Sequence, residues 1–174
     1  YIETINKVAP SILSNITTLK IHKSFTATTT GSTTYTLNFN NAFYNPHSGH
    51  NATAGGVLET SPFKVSGDIT NDYFLDDDGQ GNVRLYRTAA GVRTYANTTQ
   101  GTIDYTNGSI TINSLHVTSV GNVDGATSTD IRCTVTPNSV DIAPVRNQII
   151  EIDEVNTNVT VTADDYDTTT GIGY

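Results

Sequence analysis

The acidic, glycine-containing loop after residue 75 has the residues and spacing of a calcium site. Asp76, Asp78 and Gln80 fall at alternate positions and Gly81 occupies the place of the sharp turn, as in an EF-hand calcium loop. That scheme also requires a bidentate carboxylate six residues after the glycine, where this chain has Arg87. The competing interpretation is a solvated loop whose Asp side chains cap backbone N–H groups. We therefore expect no cofactor.

A second candidate is the pair His47 and His50, whose spacing of three would suit a metal on a helix. The two lie in a stretch rich in Pro, Gly and Asn, with no third His or Cys nearby. We expect them at the loop surface or in an interface.

Other chemistry has little support in the sequence. There is no Gly-x-Ser-x-Gly elbow, P-loop or dinucleotide fingerprint, so the expectation is that this is not an enzyme. A β-rich hydrolase using the cluster Asp76–Asp78 is the alternative, and it would require an activity that is lost when those residues are changed. A net charge of −8 argues against nucleic acid as a partner, and no run of apolar residues is long enough for a membrane helix.

The elements that would position these residues are strands. Thr is abundant beside Ile, Val and Tyr, and no long helical periodicity occurs. The predicted fold is mainly β, with antiparallel hairpins that form a sandwich-like or two-lobed module with long polar loops and little helix. Cys133 alternates with polar residues and is expected to be a buried strand thiol.

Two tandem hairpins follow the acidic loop. A four-residue turn between Val83–Arg87 and Val92–Tyr95 would place Arg84 opposite Tyr95 and Tyr86 opposite Arg93, which predicts exposed cation–π pairs.

In the second hairpin, Asn107-Gly108 predicts a two-residue type I′ turn. That register places Tyr105 opposite Ile110 and Ile103 opposite Ile112 on the core face. Asp104 would then lie on the solvent-exposed face.

An earlier hairpin is predicted from the alternation in Thr18–Ala27 and Tyr35–Phe39. The loop 40–56 has no periodicity and is expected to be a binding element or a packing arm. Further strands are predicted at Gln148–Ile152 and Val159–Thr162.

The expected organisation is a connector at 1–17, a β-rich module at 18–163 with sub-lobes 18–66 and 67–163, and an acidic Thr/Gly tail at 164–174. The chain contains no Met, which predicts that it is a piece of a longer polypeptide.

Several segments resemble, in order and spacing, the C-terminal part of the large baseplate wedge subunit of T4-like contractile-tailed bacteriophages, especially the marine cyanophage branch. They are Phe39–Asn51, Asp76–Tyr86, Gly101–Gly108, Thr136–Ser139 and Pro144–Asp153. The resemblance covers residues from about Leu19 to Val161.

The resemblance implies a virion structural protein without catalysis. It implies that the region takes part in subunit dimerisation and in joining wedges into the ring around the tail hub. The partners would be a second copy and other wedge subunits, in the tail baseplate of a virion assembled in the host cytoplasm. No catalytic residue carries over, because the family has none.

The residues expected to make these contacts lie in the long loop, where aromatic side chains are flanked by polar ones. They are Phe43, Tyr44, Pro46, His47 and His50. The alternative function is a carbohydrate-binding or adhesin-type β module, in which Tyr86, Tyr95 and Tyr105 would stack on sugars.

Overall fold

A computed structural model describes residues 20–50, 52 and 55–138. This part of the chain contains ten strands and no helix. The strands are β1 (Ile21–Thr26), β2 (Thr33–Asn38), β3 (Leu58–Thr60), β4 (Phe63–Val65), β5 (Asp68–Asp77), β6 (Asn82–Ala89), β7 (Val92–Asp104), β8 (Ser109–Leu115), β9 (Val117–Val120) and β10 (Asp130–Val135).

The strands form two antiparallel sheets. A three-stranded sheet has the order β1-β10-β3, and a seven-stranded sheet has the order β2-β8-β7-β6-β5-β4-β9 and curls into a half-barrel. The predicted fold, mainly β with a sandwich-like arrangement of antiparallel hairpins, is confirmed.

The core is built from the alternate residues of the strands, as expected when successive side chains point to opposite faces. In β8, Ile110 and Ile112 are fully buried, and β10 contributes Ile131, Cys133 and Val135. Cys133 is a buried free thiol, as the sequence predicted, and burial raises its pKa to about 12.

The predicted hairpin between the first two strands is wrong. β1 pairs with β10 in one sheet, with Phe25 opposite Ile131, and β2 pairs with β8 in the other. Phe25 and Tyr35 nevertheless contact each other, with ring centroids 4.3 Å apart. The alternation therefore predicted the inward residues correctly, but the pairing partners come from distant parts of the chain.

The β6–β7 hairpin is present with a shorter turn than predicted. Ala89 pairs with Val92, so only Ala90 and Gly91 form the turn, at φ of 50° and 79°. Two positive φ values define a type I′ geometry, which matches the twist of the flanking strands. Tyr86 consequently lies opposite Tyr95, a shift of two residues that preserves the predicted faces next to the turn. Farther from the turn the register shifts again on both sides of Leu85.

The β7–β8 hairpin has a longer turn than predicted, because Ile103 pairs with Ile110 and Asp104 with Ser109. The carboxylate of Asp104 accepts hydrogen bonds from the backbone N–H groups of Thr106 and Asn107, both at 2.9 Å. These bonds stabilise a four-residue loop in place of the predicted two-residue turn. The register again moves by two, so Ile103 stays in the core and Asp104 stays exposed.

The proposed division at residues 66 and 67 falls between β4 and β5, which pair with each other. β1 also pairs with β10, so the segments on either side of that position share both sheets. The predicted connector at 1–17, the strands Gln148–Ile152 and Val159–Thr162, and the tail at 164–174 lie outside the described residues.

Candidate functional site

The acidic stretch is divided between the end of β5 and the turn that follows it. Asp76 and Asp77 are the last two residues of β5 and are 1% and 0% exposed, whereas Asp78 is in the turn. Adjacent strand residues point to opposite faces, so the two buried carboxylates serve different parts of the molecule.

Asp76 is the centre of a buried ion-pair cluster. Its Oδ1 accepts a hydrogen bond from Arg84 Nε at 2.8 Å. Its Oδ2 accepts from Arg93 Nη1 at 2.6 Å and from the Tyr95 hydroxyl at 3.0 Å. Burial and the bond to Asp76 raise the pKa of Tyr95. Both carboxylate oxygens therefore have structural partners.

The predicted cation–π pairs are confirmed on this face. The Arg84 guanidinium lies 4.4 Å from the Tyr95 ring centroid, and that of Arg93 lies 4.6 Å from the Tyr86 centroid. Phe74 stacks on Tyr86 at 5.6 Å. The pairs are less exposed than predicted, since Arg84 is only 8% exposed.

The Asp77 carboxylate is hydrogen-bonded to three loops. Its Oδ1 accepts the backbone N–H groups of Val57 at 2.5 Å and Leu58 at 2.7 Å. Its Oδ2 accepts the N–H of Gly79 at 3.2 Å and the hydroxyl of Tyr105 at 2.7 Å. Burial and the bond to Asp77 raise the pKa of Tyr105. This carboxylate therefore stabilises the loop before β3, the β5–β6 turn and the β7–β8 loop.

Asp78 closes its own turn. Its Oδ1 accepts the N–H groups of Gln80 at 2.8 Å and Asn82 at 3.0 Å, and its Oδ2 accepts the Asn82 side-chain amide at 2.6 Å. Burial opposes ionisation, but the bonds from Asn82 lower the pKa of Asp78.

The three candidate calcium ligands therefore have other roles. Asp76 is bonded to arginines, Asp78 is bonded within its turn, and the Gln80 side chain is exposed next to Gly49. Among residues 20–50, 52 and 55–138, no group of three or more His, Cys, Asp or Glu side chains is placed to hold a metal ion. Capping by Asp, the competing interpretation, describes Asp77 and Asp78, of which Asp77 is buried and Asp78 is partly exposed.

The long loop packs against the hairpins instead of extending into solvent. The N–H of Phe43 donates to the Tyr105 carbonyl at 2.7 Å, and that of Gly49 donates to the Gly79 carbonyl at 3.0 Å. A Cβ at Gly79 would lie 2.5 Å from the His50 carbonyl oxygen, so this close approach requires glycine.

The interface prediction is wrong for Phe43, which is 2% exposed and packs edge-to-face on Phe39 at 5.3 Å. Its apolar ring is used in the core of its own subunit. Tyr44 is 43% exposed, and Pro46 and His47 are exposed as well. His50 is half-buried and contacts Tyr44 edge-on, with the rings 5.4 Å apart. These four residues remain interface predictions.

An unpaired strand edge lies next to the Asp76 cluster. β7 pairs with β6 from Val92 to Thr102 but with β8 only through Gly101–Asp104. β8 continues along β2 and carries a positive φ of 46° at Ser114. Within the described part of the chain, no strand pairs with the other edge of Val92–Thr99.

A groove of about 390 Å³ opens where β7 and β8 separate. Its lining includes Leu85, Ala96, Gln100, Leu115 and His116. A more polar cleft of about 520 Å³ lies at the β7–β8 loop and is lined by groups that include Asn45, Gln80, Asp104 and Tyr105.

Neither the edge of β7, which is unpaired within the described residues, nor the pairing of Asp76 with the two arginines was predicted from the sequence. β7 has 13 residues and β8 has seven, so the uncharged run Ala96–Gln100 between the two predicted hairpins was the available signal. The pairing of Asp76 with Arg93 joins residues 17 positions apart, and no local pattern indicates it.

The fold and the site define an antiparallel β protein whose buried charges are structural. No protein-family model matches the chain, and no curated protein or solved structure matches it. Within the described part, no helix has the length and apolar character needed to cross a membrane.

Proposed function

We propose that this chain is an assembly module of a contractile phage tail baseplate. It would be part of a wedge subunit whose β module mediates dimerisation and ring assembly around the tail hub, without catalysis. The resemblance to the wedge family motivates this assignment. Three segments that carry it, Phe39–Asn51, Asp76–Tyr86 and Gly101–Gly108, are hydrogen-bonded to one another through the contacts of Asp77 and Phe43.

The observation that carries the assembly role is the edge of β7 to which no strand of the described residues pairs. An unpaired edge presents a row of free N–H and C=O groups, which natural proteins usually protect with charged residues, Pro or bulges. The segment Thr94–Thr99 contains neither a charge nor a proline. The β6–β7 register shifts after Tyr95 and again after Asn97, and the Thr99 N–H is bonded to Asn97 Oδ1 at 2.9 Å. Strand addition would therefore use the backbone of Val92–Asn97.

We propose that a second copy of this chain occupies the edge. Each copy carries a net charge of −8, so two copies repel unless their contact surfaces are neutral. Arg93 is ion-paired with Asp76, which it shares with Arg84, and Thr94–Thr99 is uncharged. Two β7 strands can therefore pair antiparallel about a two-fold axis at Tyr95, with Arg93 opposite the uncharged Asn97, without opposing like charges.

A structural role also agrees with the use of the acidic groups. A catalytic carboxylate needs a free oxygen within reach of its substrate. Asp76 and Asp77 direct both oxygens to protein donors and are almost completely buried.

Sedimentation velocity tests the assembly role. We expect the native chain to show a concentration-dependent dimer. Thr98→Lys should remain monomeric, because a lysine on an edge strand opposes the addition of another strand. The matched control is Thr102→Lys, which changes an exposed threonine of the same strand where both neighbouring strands are already paired. The control should dimerise like the native chain.

A native chain that stays monomeric at every concentration, or a Thr98→Lys variant that dimerises normally, would contradict the proposed edge. The baseplate location is tested by antibody labelling of intact tailed particles. Label at the baseplate is expected, and label confined to another part of the particle would overturn the location.

The carbohydrate-binding alternative is favoured by one feature, the polar cleft beside Tyr105. Asn45, Gln80 and Asp104 would supply amide and carboxylate groups around its ring. Against it, guanidinium groups already lie over the rings of Tyr86 and Tyr95. Glycan-array binding that is lost in Tyr105→Ala would favour this alternative over the baseplate module.

A further inference from the structure

The two histidines of the long loop are held together by a fixed turn. The N–H of His50 donates to the His47 carbonyl at 3.1 Å, and Gly49 between them has a φ of 75°. Gly49 is bonded to Gly79 at 3.0 Å, so the turn is anchored to the β5–β6 turn. The backbone that carries the two rings is therefore fixed by contacts that do not depend on a ligand.

The hydrogen bond of the His47 ring determines which of its nitrogens is free. Its Nδ1 lies 3.2 Å from the Ser48 carbonyl oxygen. A carbonyl oxygen can only accept, so Nδ1 carries the proton and Nε2 has a lone pair. In metal-binding histidines, the ring nitrogen that does not bind the metal usually donates its N–H to a carbonyl or carboxylate oxygen. The Nδ1 of His47 has this arrangement.

The free Nε2 of His47 faces Nδ1 of His50 at 3.4 Å. Because Nε2 of His47 can only accept, Nδ1 of His50 donates to it in a hydrogen bond longer than the usual range of about 2.7–3.2 Å. A metal ion bound by both nitrogens would replace that proton. Two nitrogens bound to one tetrahedral zinc at about 2.0–2.1 Å are separated by about 3.3–3.4 Å. The observed separation therefore suits two ligands of one ion.

We infer that His47 and His50 form a two-histidine chelate for a divalent transition-metal ion such as Zn²⁺, with water in the remaining positions. Imidazole nitrogen is a preferred ligand of Zn, Ni and Cu, whereas Ca and Mg prefer oxygen. His47 is exposed and His50 is half-buried, so water can reach the ion. This site is separate from the predicted calcium loop and does not depend on the baseplate assignment.

Isothermal titration of the tag-free chain with zinc chloride tests the site. We expect one ion per chain at a site that is lost in His47→Ala and in His50→Ala. Because a chelate needs both rings, each single variant should bind zinc as weakly as the double variant, at least about tenfold more weakly than the native chain. Titration with magnesium should give no heat of binding at this site.

The control variant is His22→Ala, which removes an exposed histidine on β1 and should leave zinc binding unchanged. Circular dichroism of each variant verifies that the fold is retained. The inference is overturned if the native chain takes up no zinc, if the double variant binds as the native chain does, or if His22→Ala weakens binding equally.

Discussion

Asp76, Asp77 and Asp78 are neighbours of one residue type, and their surroundings give each a different role. Asp76 forms ion pairs with two arginines, Asp77 caps distant loops, and Asp78 closes a turn. Sequence reasoning could predict capping for Asp78, whose partners lie within four residues. It could not predict the partners of Asp76 and Asp77, because these come from up to 28 residues away.

Replacing Asp76 should be severely destabilising. Asp76→Ala leaves Arg84 buried without its carboxylate, and breaking a buried ion pair by removing one partner costs about 3–5 kcal/mol. We expect a loss of that size in the free energy of unfolding, measured by urea denaturation.

The control is Asp72→Ala. Asp72 pairs with Lys64 at 3.0 Å but is 54% exposed, so its loss should change the free energy of unfolding by at most about 1 kcal/mol. Equal effects of the two substitutions would show that the buried cluster is not structurally important.

At the scale of elements, the hydrophobic pattern correctly predicted which side chains of the two hairpins face the core. The predicted lengths of the two turns were wrong. Both tandem hairpins have the predicted strands and inward residues, yet next to each turn the register differs by two because the turn lengths differ. Shifts of two preserve the side-chain faces, so the cation–π pairs of Arg84 and Arg93 were still predicted. The β1–β10 pairing joins distant segments and has no local signal.

A substitution in the β6–β7 turn should stabilise the folded protein. Ala90 has a φ of 50°, a region that is unfavourable by about 1–2 kcal/mol for residues other than Gly, Asn and Asp. We expect Ala90→Asn to stabilise the protein by about 0.5–1 kcal/mol in thermal or urea unfolding, because Asn-Gly is preferred in type I′ turns.

Ala89→Asn is the matched control. Ala89 is an exposed neighbour within β6 and is not among the residues with positive φ, so its substitution should give no stabilisation. A gain at both positions, or at neither, would contradict the assigned turn geometry.

For the whole molecule, the groups with shifted pKa values define the pH range in which the folded state is most stable. The pKa values of Asp78 and Asp104 are lowered from the usual 3.8, so the folded state holds fewer protons there and stability is lost as pH falls below about 4. The pKa of Cys133 is raised from 9.0 to about 12, and that of Tyr105 is raised from 10.0. These two groups keep their protons in the folded state, so stability is lost as pH rises above about 9.

We therefore expect the Tm to be highest between about pH 4 and pH 9 and to fall on both sides, as measured by calorimetry. Tyr105→Phe removes one titrating group and should flatten the alkaline decline relative to the native chain. A Tm that does not change between neutral pH and about pH 10.5 would contradict the assigned environments of these groups.

The central proposal is that two copies pair through β7, and hydrogen exchange of the β7 amides tests it most directly. In dilute solution, the amides of Val92–Thr99 that are not bonded to β6 should exchange rapidly. At concentrations where dimer forms, they should become protected, while the outer edge of β2 should not change. If exchange along Val92–Thr99 is the same in monomer and dimer, the edge is not the site of assembly.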